Sequence, residues 1–153
     1  MIGDMLRYAK GARAERELLS KFQEMGYSII RSAGSGVNSV SPDVIAIKNG
    51  RGISLECKAW DKGSIAIELD KFSALNEWEK NTLMATYIAW RMNNEGWYFI
   101  KLDEMSQNER SCSITRKRAR TIGRRLDDII DSLRMPGGAL PAEDAKAKLM
   151  ESI

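Results

Sequence analysis

Apolar positions recur at helical spacing between residues 10 and 25, where Leu18, Leu19, Phe22 and Met25 form one stripe that Gly26 ends. Glu15 lies on the same stripe, three, four and seven positions before Leu18, Leu19 and Phe22, so it faces inward or sits at the edge of the buried face. The plainer reading is a first-turn acid favoured by the helix dipole. Tyr27 to Arg31 then reads as a short strand. The SAGSGVNSVSP that follows is too rich in Gly and Ser to be regular. Two β-rich stretches come next, Asp43 to Lys48 and Ile53 to Trp60. The turn residues Asn49, Gly50, Arg51 and Gly52 between them predict a hairpin, and Pro42 fixes its entry.

Asp70 is placed to cap a helix running to about Lys80, with Phe72, Leu75 and Trp78 inward. Thr82 to Arg91 and Trp97 to Leu102 read as strands around a turn from Asn93 to Gly96. A last helix over Arg116 to Arg134 carries Ala119, Ile122, Leu126, Ile129, Ile130 and Leu133 on one face. Pro136, Gly137 and Gly138 end it, leaving a helical tail to Ile153. The order of helix, strand, hairpin, helix, two strands and helix predicts an α/β fold, a mixed central sheet flanked by helices. With 153 residues and no internal repeat, the expectation is a single domain over 1–135 and a tail over 136–153.

Composition narrows the chemistry. The chain is 43% hydrophobic and 29% charged, as suits a soluble globule, and it contains no histidine. That excludes a Ser-His-Asp triad, a Cys-His protease, a His-based zinc site and a His general base. Cys57 and Cys112 show no CxxC spacing, so neither a disulfide framework nor a zinc knuckle is expected. No apolar run is long enough for a bilayer and MIGDMLRYAK has no signal-peptide core, which places the protein in the cytoplasm, with no membrane partner. The net charge is only +3, but residues 106 to 125 hold seven basic side chains and one acid, Glu109, leaving −3 for the rest.

The hairpin carries the candidate chemistry. Pro42-Asp43 opens one strand and Glu56-Cys57-Lys58 lies on the next, so Glu56 and Lys58 share a face while Leu55, Cys57 and Ala59 share the other. An acid and a lysine at i and i+2 are ordinarily a solvated face. Pairing through a short turn, however, brings Asp43 near the Glu56 end and sets two hard oxygen ligands beside a lysine. That set suits Mg²⁺, which keeps several waters and is completed by a substrate phosphate, and Mn²⁺ is expected to substitute. Lys58 would orient or help deprotonate the attacking water and stabilise the charge that builds on the phosphate.

The spacing Pro-Asp, twelve residues, Glu-x-Lys matches the PD-(D/E)xK signature of the restriction-endonuclease-like nucleases. More closely, KGARAERELLSKFQEMGY, RSAGSG, PDVIAIKNG and LECKA, in that order, resemble the archaeal-type Holliday junction resolvases over about Lys10 to Leu102. The resemblance implies a restriction-endonuclease-like fold and a metal site of Glu15, Asp43 and Glu56, with Lys58 as the catalytic lysine. It also implies Ser35 near the scissile phosphate and Arg31 as the first-strand arginine. A homodimer with two active sites, cutting opposing strands of four-way junction DNA, follows from it as well. GVNSVS before the Pro-Asp is uncharged, unlike the basic or longer loop common in that family, and beyond Leu102 the match is loose.

The C-terminal third is therefore read on its own. Lys117, Arg120 and Arg124 fall at i, i+3 and i+7, a stripe that would neutralise DNA phosphates if it faces them and is a solvated face if it does not. Trp60 and Trp78, beside charged residues, are the tryptophans best placed for a partner surface, and Cys57, facing away from Glu56, is a core residue. The expected function is a Mg²⁺-dependent endonuclease resolving four-way junctions. The rivals are a nuclease of the same fold for duplex, nicked or flap DNA, and a non-catalytic architectural DNA-binding protein, against which the intact acids and Lys58 argue.

Overall fold

The computed structural model describes residues 2–32 and 41–134. Helix α1 (Ile2–Glu24) leads into β1 (Ser28–Arg31), β2 (Val44–Lys48), β3 (Arg51–Lys58), β4 (Ser64–Glu68), α2 (Leu69–Thr82), β5 (Ala85–Met92) and β6 (Gly96–Lys101). A single 3₁₀ turn (Leu102–Glu104), β7 (Ser106–Gln107), β8 (Ser111–Thr115), α3 (Arg116–Ile122) and α4 (Leu126–Arg134) follow. The central sheet runs β1-β2-β3-β5-β6 and is mixed: β3 and β5 are parallel, joined by the crossover through β4 and α2, and the other pairs are antiparallel. Among the described residues no helix is long and apolar enough to cross a membrane.

The mixed sheet flanked by helices is the architecture that the hydrophobic pattern predicts. Leu18, Leu19 and Phe22 of α1 and Ile129 and Ile130 of α4 pack with Val44, Leu55 and Phe99 on one face. On the other face Leu75 of α2, with Ile65, Ile67, Cys112 and Ile114, covers Ile88, Trp90 and Ile100. Strand β3 is consequently buried from Ile53 to Glu56. Its turn is tighter than the four residues read from sequence: Asn49 and Gly50 both have positive φ (54° and 75°), as a two-residue hairpin turn requires.

Several elements depart from the pattern. Helix α1 starts at Ile2 rather than Lys10, and Ile2, Met5 and Leu6 in its first turns are exposed. Glu68, not Asp70, holds the cap position of α2, and it makes no side-chain cap bond. A second sheet, β4-β8-β7, was not foreseen, although Ile65 and Ile67, and Cys112 and Ile114, alternate with exposed or half-buried neighbours. The single last helix is two helices broken at Gly123, where Arg124 bridges to Phe99 of β6 by two backbone hydrogen bonds (2.7 and 3.0 Å). The tail from residue 135 lies outside the described residues.

Gly123 is tightly enclosed: a Cβ there would stand 2.3 Å from the Ala119 carbonyl oxygen and 3.0 Å from Ile100 Cδ1. Gly123→Ala is therefore expected to destabilise the fold by about 1–3 kcal/mol, the range for overpacking, read as a lower urea midpoint. An unchanged midpoint would mean that the α3–α4 break is not held against the sheet.

Candidate active site

Register builds the site. Val44 lies opposite Leu55, so Asp43, one step before β2, stands opposite Glu56 on the same face. Asp43 Oδ2 accepts a hydrogen bond from the Cys57 backbone N–H (2.9 Å), and its carbonyl accepts one from Ser32 N–H (2.9 Å). Both ends of the residue are thus fixed by neighbouring strands.

Glu56 is only 5% exposed, and its Oε1 has no hydrogen-bond partner. Burial, and then the adjacent Asp43 carboxylate, push its pKa from 4.5 up to about 7, against the pull of Lys71. A buried acid beside a second acid, their charge offset only in part by Lys71 and Lys58, is a site that favours a further cation. Lys71 Nζ, from the first turn of α2, is 3.8 Å from Glu56 Oε2.

The raised pKa has a signed consequence for stability. Between pH 4.5 and 7 the folded state holds the Glu56 proton more tightly than the unfolded state does. Stability from this group is therefore greatest at low pH and lost as pH rises through about 7. Glu56→Gln should be more stable than wild type at pH 8 without divalent metal, the gap closing at pH 4. Equal denaturation midpoints at both pH values would remove the buried, charge-starved carboxyl from the account.

The other residues singled out in sequence are spread around this pair. Glu15 of α1 is in an ion pair with Arg31 Nε (2.8 Å), and its charge, after those of burial and Asp43, raises the Cys57 thiol pKa. Its charge thus reaches the Cys57 end of β3. Among the described residues no three His, Cys, Asp or Glu side chains converge in a metal-holding cluster. Lys58 follows Glu56 along the same face, with Nζ 5.4 Å from the centre of the Trp60 ring, and Lys62 Nζ is 5.3 Å from it. Ser35 lies outside the described residues. Cys57 packs against the α1 core as a half-buried thiol.

The basic stripe is not continuous, because Gly123 separates Lys117 and Arg120 from Arg124. Arg120 makes a two-pronged pair with Glu95 (2.7 and 2.6 Å), and Arg124 pairs with Glu104 (2.7 Å). Arg116 lies 3.8 Å from Asp61, and the Arg125 guanidinium stacks on Tyr98 at 4.2 Å. Three of the seven basic side chains, Arg116, Arg120 and Arg124, are thus paired with acids from other strands and loops, and Lys117 and Arg118 stand exposed on α3. Of the tryptophans, Trp90 and Trp97 are core, Trp78 is half-buried with its Nε1 donating to Ser54 Oγ (2.8 Å), and Trp60 is 41% exposed.

Residues 6–136 match the model of the archaeal Holliday junction resolvase (Hjc) family. The chain is 30% identical over 108 residues to the crossover junction endodeoxyribonuclease Hjc of Sulfolobus acidocaldarius, covering 69% of this chain and 75% of that one. It is 26% identical over 107 residues to the enzyme of the same name from Archaeoglobus fulgidus, covering 69% and 79%. The solved structure of A. fulgidus Hjc superposes with a TM-score of 0.69 at 22% identity, over 78% of this chain and 94% of that one. The bacterial homing endonuclease I-Ssp6803I shares the fold at a TM-score of 0.51 and 12% identity, over 82% and 91%.

Proposed function

We propose, because the chain belongs to the archaeal Holliday junction resolvase family, that it is a crossover junction endodeoxyribonuclease. It hydrolyses phosphodiesters in four-way DNA junctions with a divalent cation at Asp43 and Glu56. The observation that carries the site assignment is the pairing of these two acids across β2 and β3, with Glu56 Oε1 buried and without a partner. Two carboxylates leaving room for water and substrate phosphate suit Mg²⁺, with Mn²⁺ as a substitute. When bound, the cation supplies charge neutralisation at the phosphate and a more acidic water.

The chain's own residues do the remaining work. Lys58 sits two positions along β3 on the face of Glu56, where its ammonium orients the attacking water and offsets negative charge growing on the phosphate. The Glu15–Arg31 pair is open to solvent on its arginine side, so a DNA phosphate competes for the guanidinium and Arg31 binds the backbone near the cut. Glu15 is then available as the third acid of the site, and Ser35 is assigned beside the scissile phosphate by resemblance. Lys117 extends the phosphate-binding surface on α3; Arg120 and Arg124 join it only by giving up Glu95 and Glu104. A homodimer presents two such sites.

Incubating the protein with matched four-way, flap and linear DNA, with and without Mg²⁺, tests this reading. Cleavage of the four-way DNA alone, and only with metal, is the expected result. Equal cutting of linear duplex would replace junction selectivity with a general nuclease, and undiminished cutting in a chelator would remove the cation.

A further inference from the structure

One ammonium reaches both Glu56 and the segment that leads into Asp43. Lys71 Nζ donates a 2.6 Å hydrogen bond to the Ser41 carbonyl and stands 3.8 Å from Glu56 Oε2, on a side chain 22% exposed. Ser41 lies two residues before Asp43, with the buried Pro42 between them. Its hydroxyl is 3.1 Å from that of Ser32, whose N–H in turn bonds the Asp43 carbonyl. The Lys71 contact therefore bears on a small network at the base of the Asp43 strand as well as on Glu56.

Lys58, the lysine of the sequence signature, also lowers the Glu56 pKa, though less than Lys71 does, and its ammonium lies 5.4 Å from the centre of the Trp60 ring. When both are ionised Asp43 and Glu56 repel each other, and a cation tied to both sides holds their spacing. Lys71 is anchored by a backbone carbonyl on one side and a carboxylate on the other, and α2 is fixed by Leu75 in the core. We infer that Lys71 is a positioning residue that holds Asp43 and Glu56 at their working separation, an inference that rests on the endonuclease reading above.

The test has one arm that needs no cleavage. In the metal-free protein the Cys57 amide is protected by Asp43 Oδ2, so amide exchange there reports whether Asp43 is held. Lys71→Met keeps most of the stem and removes the charge. It should speed Cys57 exchange by about tenfold, the scale of one charge-assisted hydrogen bond, while core amides such as Ile88 keep their wild-type rates. Junction cleavage should lose about 10²-fold in kcat, as misplacing a reacting group does, with KM unchanged. Lys71→Arg should recover most of both. Unchanged Cys57 exchange, or faster exchange with full kcat, overturns the inference. Faster exchange at Ile88 as well would reduce Lys71 to general stability. If wild-type protein cuts no junction, the endonuclease reading fails, and Cys57 exchange still decides whether Lys71 holds Asp43.

Discussion

Junction cleavage in Mg²⁺ is expected to fall by about 10³-fold or more when either Asp43 or Glu56 is replaced by alanine. A catalytic cation is worth several kcal/mol of transition-state stabilisation, and each 1.36 kcal/mol is about a tenfold change in rate. Binding should move the other way. Each substitution removes a negative charge from a surface that receives phosphate, so junction affinity without metal should persist or tighten. Glu56→Gln separates this from unfolding, since it keeps the shape of the side chain and relieves a buried carboxyl that lacks a partner for Oε1. Single-turnover cleavage beside gel-shift binding in a chelator makes the measurement. Near wild-type cutting by either variant would show that the pair is not where the cation acts.

The two acids were legible from sequence because a hairpin has few degrees of freedom. Once Asn49-Gly50 fixes the turn, the register of β2 on β3 follows, and with it Asp43 opposite Glu56. Lys71 was not legible. It sits near the start of a helix that reaches Glu56 only through the crossover between the parallel β3 and β5, and no local pattern marks that meeting. The acid partners of the basic run were illegible for a related reason. Its charges are countable in sequence, but Glu95, Glu104 and Asp61, which match Arg120, Arg124 and Arg116, come from 25, 20 and 55 residues away (120−95, 124−104, 116−61).

The second sheet shows where hydrophobic patterning loses its force. Ile65 and Ile67 alternate cleanly, as do Cys112 and Ile114, but each strand has only five residues and lies against charged neighbours. Two inward side chains on a strand are weak evidence by themselves; they became a sheet because β4 and β8 cover each other's edge over Ile88 and Trp90. Gly123 is a comparable case. The apolar spacing runs through it, and only the 2.7 Å return of Phe99 N–H to the Arg124 carbonyl shows why the helix stops there.

A mixed dimer of wild type and Asp43→Ala is expected to nick a junction on one strand and go no further. Resolving a four-way junction into ligatable duplexes needs cuts on two opposing strands, and one Asp43, Glu56 and Lys58 set hydrolyses one bond at a time. The 153-residue chain holds one such set and no internal repeat, so the proposed reading requires the second set from a second chain. A two-fold homodimer places identical sites on symmetry-related strands. Light scattering should therefore give a particle near twice 17.2 kDa. On a supercoiled plasmid with an extruded cruciform, wild-type dimers should yield linear DNA from paired cuts, and tag-purified mixed dimers should yield nicked circles. A monomer that stays monomeric on the junction and still linearises the plasmid would remove the symmetric mechanism and leave a nuclease that cuts each strand in a separate encounter.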